Sequence, residues 1–179
     1  MKLSPSLLAL AAAAAFALPA QAIVVVGTTT GAPTWNRPLA GTPPTALSGV
    51  GTAVPYTVLP FTVSTSGSYV VQSTATAPAS WDNFTVLYQT AFSAATPLVN
   101  ALVANDDNPS IGLAGFTSAL TAGTSYFLIT TGFGNTNFGE YSNSITGPGT
   151  ITVVPEPGSV ALLGLGLATV LLQIGRAHV

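Results

Sequence analysis

The chain has no cysteine, only one histidine, and only three cationic and five acidic side chains in 179 residues. Each shortage closes a class of chemistry. Without cysteine, no disulfide can brace the fold, no thiolate can attack or bind a metal, and no lipidated cysteine can anchor the chain. The cations are Lys2, Arg37 and Arg176 and the histidine is His178, so the long middle of the chain carries a single cation. A surface so poor in positive charge cannot neutralise a phosphate backbone, which excludes nucleic acid as a partner. The Ser-His-Asp and Ser-Lys routes to an activated nucleophile lack their residues there, and so does zinc held by histidine. The chemistry left is that of carboxylates: Asp82, Asp106, Asp107, Glu140 and Glu156.

Two apolar runs mark the ends. Residues 7–18 form an unbroken run rich in alanine and leucine behind Lys2, closed by Pro19. Ala20-Gln21-Ala22 then offers small residues at the two positions that a signal peptidase reads. Residues 1–22 therefore read as a secretory signal peptide, with Ala20 and Ala22 as the cleavage determinants and signal peptidase as a partner. The second run, residues 158–174, is uncharged. As a helix it reaches about 25 Å, near the lower limit for crossing the hydrocarbon of a bilayer. Pro155 and Pro157 give it a sharp beginning. Gly164 and Gly166 thin one side of it, which suits close packing against another membrane helix.

Val154-Pro155-Glu156-Pro157, followed by Ala161-Leu162-Leu163-Gly164-Leu165-Gly166-Leu167-Ala168, resembles the PEP-CTERM sorting signal of exopolysaccharide-producing Gram-negative bacteria. The resemblance implies that Pro155, Glu156 and Pro157 are a recognition motif and that residues 155–174 are a sorting signal with a transmembrane helix. It implies an exosortase, a membrane transpeptidase-like protease, as the processing partner. It also implies anchoring in the inner membrane, release to the cell surface or extracellular matrix, and association with exopolysaccharide. On this reading the motif is a substrate rather than a catalytic site. One departure stands out. The family ends in an arginine-rich cluster that keeps the helix end in the cytoplasm, whereas this chain has Arg176 alone. Residues 174–179 read like a translated sequencing adapter, and residues 175–179 are expected to be a non-native tail.

Between the signals the chain divides by composition. Residues 23–52 are punctuated by Pro33, Pro38, Pro43, Pro44 and threonine–glycine clusters, and read as an irregular lead segment. Ile23 to Val26 could form a short strand, and Trp35 is expected to pack onto the domain behind it. Residues 53–154 show short β-prone runs at turn-marked intervals, with no helical periodicity competing. Strands are expected over 56–63, 68–74, 84–89, 98–104, 116–120, 126–131, 141–145 and 150–154. Pro60 suggests an edge or a bulge in the first. In 84–89, Phe84, Val86 and Tyr88 alternate with Thr85, Leu87 and Gln89, which predicts a half-buried strand. The fold class is all-β: an antiparallel β-sandwich of jelly-roll type with about eight strands.

Within this body, Phe61-Thr62-Val63 to Gly67-Ser68-Tyr69, Trp81-Asp82-Asn83-Phe84 with Leu87-Tyr88, Pro97-Leu98 with Asn105-Asp106-Asp107, and Leu120-Thr121-Ala122-Gly123-Thr124-Ser125-Tyr126 look like the bacterial pre-peptidase C-terminal domain. That is a small β-sandwich attached to secreted hydrolases and surface proteins. The resemblance implies an accessory role in secretion, adhesion or substrate contact, without a catalytic centre.

The carboxylates allow two readings. Asn105-Asp106-Asp107-Asn108 with Asp82 offers hard oxygen donors suited to calcium, making Asp82, Asp106 and Asp107 the candidate ligands. The same residue types are also ordinary turn formers that bond their own backbone. No other cofactor is indicated. Paired carboxylates are also the machinery of glycoside hydrolases, a remote alternative to a protein that is no enzyme. Two readings of the molecular role stay open. One is a structural surface or matrix protein. The other is a carbohydrate-binding adhesion module in which Trp81 and Tyr88, or Tyr126 and Tyr141, stack on sugar rings.

Overall fold

The computed structural model describes residues 20–79 and 81–154. The signal run, the sorting helix and the tail expected from the sequence lie outside the described residues. Every regular element described is a strand: β1 (Gln21–Thr28), β2 (Thr34–Trp35), β3 (Val54–Val63), β4 (Gly67–Ala77), β5 (Asn83–Gln89), β6 (Ala101–Asn105), β7 (Leu113–Leu120), β8 (Tyr126–Gly132), β9 (Glu140–Gly147) and β10 (Ile151–Val153). No helix among the described residues is long and apolar enough to cross a membrane.

The strands form two antiparallel sheets. One has the order β1-β9-β4-β7; the other runs β10-β3-β8-β5-β6, with β2 added beside β3. Alternation along each strand sends one row of side chains into the space between the sheets. Leu59, Phe61 and Val63 of β3, Leu87 of β5, Tyr126 and Leu128 of β8 meet Tyr69 and Val71 of β4, Phe116 and Leu120 of β7 and Ile145 of β9 there. This core is the product of period-2 patterning, and the all-β sandwich expected from the sequence is what the chain forms.

The lead segment departs from its expected irregularity. β1 is a full eight-residue strand pairing from Gln21↔Gly147 to Thr28↔Glu140. The signal-peptide boundary expected after Ala22 falls inside β1, and the pairs from Ile23↔Ile145 onward lie beyond it. Past β1 the segment folds across the outer face of the second sheet. Trp35 packs there with Val54, Phe84, Val86, Tyr88 and Ile129. The indole N–H donates to Thr131 Oγ1 at 3.1 Å, and the ring lies 5.3 Å from Tyr56 and 5.5 Å from Phe92.

This cover corrects the expectation for β5. Its residues from Asn83 to Tyr88 are all buried, because Thr85 and Leu87, on the side that alternation would leave to solvent, face the opposite sheet while the lead segment covers Phe84, Val86 and Tyr88. The expected strand over 98–104 begins only at Ala101, and Leu98 and Val99 are exposed turn residues. Pro60 sits where β3 changes partners. β10 pairs with Phe61 to Val63 and β2 with Val54 and Pro55, so the proline falls in the gap between two short neighbours. A residue without an N–H belongs in such a place.

The sandwich interior is not wholly apolar. Thr57, Thr130 and Thr85 form one cross-strand row facing inward. Asn143 Nδ2 donates to Thr130 Oγ1 at 2.8 Å, and Asn83 Nδ2 donates to Ser73 Oγ at 2.9 Å. Asn83 is therefore a buried core residue.

Candidate functional site

Asp82 directly precedes β5, while Asp106 and Asp107 directly follow β6. Antiparallel pairing of these strands sets Thr85 opposite Asn105 and so brings their ends together. Carboxylate oxygens of Asp82, Asp106 and Asp107 all lie within 4.8 Å of one another. Asp82 and Asp106 are half-buried and Asp107 is exposed. The buried Oδ1 atoms of Asp82 and Asp106 have no hydrogen-bond partner. Burial pushes the Asp106 carboxyl up to about 6, with Asp82 and Asp107 adding repulsion and Arg37 opposing it. Asp82 is raised for the same leading reason, with Asp107 adding to it and Arg37 again opposing.

The two readings of Asn105 to Asn108 divide its residues between them. Asn105 Oδ1 accepts from the Gly115 N–H at 3.0 Å, and Asn108 Nδ2 donates to the Gly115 carbonyl at 3.0 Å. The asparagines thus cap the free edge of β7, where an exposed ladder would otherwise invite another chain. The aspartates between them turn toward Asp82 instead. Three carboxylates, two of them with an unpartnered buried oxygen, make a hard-oxygen donor set, and these are the residues that could hold a divalent cation.

Arg37 is the residue that reading the sequence missed. It counted there only as the body's single cation. In the structure its side chain is buried, the largest fully buried one described. Nε and Nη2 donate to the Phe133 carbonyl at 2.9 and 2.7 Å, and Nη1 donates to the Pro38 carbonyl at 2.8 Å. Its guanidinium carbon lies 4.0 Å from the centre of the Phe84 ring. Burial lowers its pKa, and Asp106 and Asp82 oppose that shift. The only available sign in the sequence was that a lone cation in a nearly uncharged domain must find carbonyls or carboxylates.

The aromatic candidates are placed differently from the expectation. Trp81 is buried, and its indole N–H donates to the Glu140 carbonyl at 2.7 Å. Tyr88 is buried with its hydroxyl on the Pro97 carbonyl. Tyr126 and Tyr141 are buried as well. None of the four offers a ring face to a sugar, because each ring is enclosed by the fold. An uncharged cavity of about 230 Å³ lies at the other end of β5, lined by Gln89, Thr90, Asn100, Ala101 and Leu102.

At the C-terminal end, β10 finishes at Val153, and the Val154 N–H donates to the Pro60 carbonyl at 2.9 Å. Pro155, Glu156 and Pro157 lie outside the described residues.

Residues 153–176 match the PEP-CTERM protein-sorting motif. The motif implies an exported, membrane-passing protein of a Gram-negative bacterium, with an exosortase as its processing partner. No curated protein matches the chain in sequence. Among solved structures it is similar to the pre-peptidase C-terminal domain of a collagenase from Bacillus anthracis, at 14% identity and a TM-score of 0.41, over 69% of this chain and 87% of that one. It is also similar to the CBM35 of Abf62 from Cellvibrio japonicus, at 10% identity and a TM-score of 0.37, over 74% of this chain and 99% of that one. A third similarity is to the K1 cleaved adhesin domain of Lys-gingipain from Porphyromonas gingivalis, at 13% identity and a TM-score of 0.38, over 76% and 99%.

Proposed function

We propose that this chain is a non-catalytic surface or extracellular-matrix protein. Its β-sandwich is carried through the inner membrane, held there by residues 155–174, and released when an exosortase cuts beside Pro155-Glu156-Pro157. The observation that carries this reading is the sorting motif, matched over residues 153–176 at the very end of the sandwich. The enclosed aromatic rings favour a matrix role over sugar stacking. Fractionation of producing cells tests the reading. With the exosortase present, the shortened chain should appear outside the inner membrane. With it deleted, full-length chain should accumulate in the membrane. Intact chain in the cytosol, or equal processing in both strains, would refute it.

Asp82, Asp106 and Asp107 serve in this protein as a calcium site. The ion supplies the positive charge that the unpartnered oxygens lack and so ties β5 to the end of β6. Calcium should raise the thermal midpoint and chelator should return it, by an amount set by ion concentration over the dissociation constant. The pH dependence is a second check. In the ion-free domain Asp106 titrates near 6, above its ordinary value of 3.8. The folded form then holds more protons than the unfolded chain between those values. Ion-free stability should therefore fall as pH rises through about 4 to 6, while the calcium-induced shift grows over the same range. Melts with identical midpoints in calcium and chelator at pH 7.5 would exclude the site.

A further inference from the structure

The last strand of the sandwich and the first residues of the sorting motif overlap. β10 ends at Val153, which pairs with Phe61 of β3. The next amide, Val154, is bonded to the Pro60 carbonyl. The motif match already begins at residue 153. Among the described residues the last hydrogen bond is that of Val154, which directly precedes Pro155 in the sequence.

A protease that reads an extended segment binds its backbone much as an added strand does, through main-chain hydrogen bonds on both sides of the scissile bond. A backbone already laddered to a sheet cannot offer those groups. β10 is also lightly held. It has three residues, β3 is its one ladder partner, and of its side chains only Ile151 is buried. From this we infer that β10 is a latch. The exosortase accepts Pro155-Glu156-Pro157 only after residues 151–154 have left β3, so a sandwich with β10 docked is a poor substrate. The inference rests on the sorting reading above and adds a conformational condition to it.

The test uses a cross-strand lock. Thr62 and Thr152 face each other across the β3–β10 pair, with Thr152 exposed and Thr62 half-buried. Antiparallel neighbours stand roughly 4.5–5.5 Å apart at Cα, within disulfide reach. The chain has no other cysteine, so the double variant T62C/T152C has one intramolecular bond to form. Full-length chain is incubated with membranes containing the exosortase. The oxidised double variant should be processed at least tenfold more slowly than wild type, and reduction should restore the rate. Inserting a flexible glycine–serine linker between Val154 and Pro155 should restore processing of the oxidised form with the disulfide intact. Equal rates for oxidised and reduced double variant overturn the latch. So does an oxidised linker variant that stays slow, because the lock would then act elsewhere than on access to the motif. Failure of the wild-type chain to be processed would remove the sorting reading itself, and the latch with it.

Discussion

Replacing Arg37 with methionine should cost the domain about 2–5 kcal/mol of unfolding free energy, because two enclosed carbonyls lose their donors at roughly 1–3 kcal/mol each. The loss comes from three hydrogen bonds made at once. Without the guanidinium, the Phe133 carbonyl loses both Nε and Nη2 and the Pro38 carbonyl loses Nη1. These buried acceptors then meet an apolar side chain, and an unmade buried hydrogen bond costs more than a made one contributes. The face of Phe84 loses its cation as well. Arg37→Lys should rescue little, because one ammonium on a flexible stem cannot fork between two carbonyls. A domain of ordinary stability has only about 5–15 kcal/mol to lose. Urea unfolding of the exported chain checks this, and a loss under about 1 kcal/mol would refute it. The methionine variant should also respond more to calcium, since the cation that opposes the rise of Asp82 and Asp106 is gone. A role confined to packing would leave that response unchanged.

A fragment of residues 53–154, the sandwich as composition delimits it, should fail to fold. Removing residues 23–52 takes away β1, the strand that covers one edge of β9, and strips the outer face of the second sheet. Phe84, Val86, Tyr88 and Ile129 are each at most 1% exposed in the intact domain. Exposing a side chain of this kind forfeits about 1.5–3 kcal/mol. Four of them together forfeit about 6–12 kcal/mol, comparable with the whole stability of a typical domain, about 5–15 kcal/mol. The bare sheet would then be an apolar surface on β-prone strands with no nearby charge to keep it soluble. Trp35→Ala gives the graded version. It removes the indole bonded to Thr131 and packed on Tyr56 and Phe92, and should cost about 3–5 kcal/mol. Dispersed amide resonances and a cooperative melt from the 53–154 fragment would overturn the argument.

The strands that reading the sequence placed well are those flanked by clear turns. β3, β4, β8 and β9 fall within a few residues of the expected spans, because alternation and glycine turns are local signals. β1 was underestimated. Four aliphatic residues amid prolines and threonines look too weak to form a strand alone, and the strand exists because β9 lies ready to pair with it. The burial of β5 was misjudged for a related reason: an alternating pattern shows which side chains share a face, but not whether another part of the chain covers that face.

The candidate site was half legible. Asp106 and Asp107 are sequence neighbours, and oxygen donors on a loop already suggest a cation. Their company with Asp82, and the capture of Asn105 and Asn108 by Gly115, required the β5–β6 pairing and the proximity of β7. The buried state of Trp81, outside any expected strand, was equally out of reach.

Export and sorting were written in the sequence, because the enzymes that act on such signals read short contiguous segments whose meaning survives without a fold. Burial, the meeting of the three carboxylates, and the overlap of β10 with the sorting motif were decided by the tertiary structure. Each depends on which distant segment lies against which, and that is set by the free energy of the whole sandwich rather than by any local pattern.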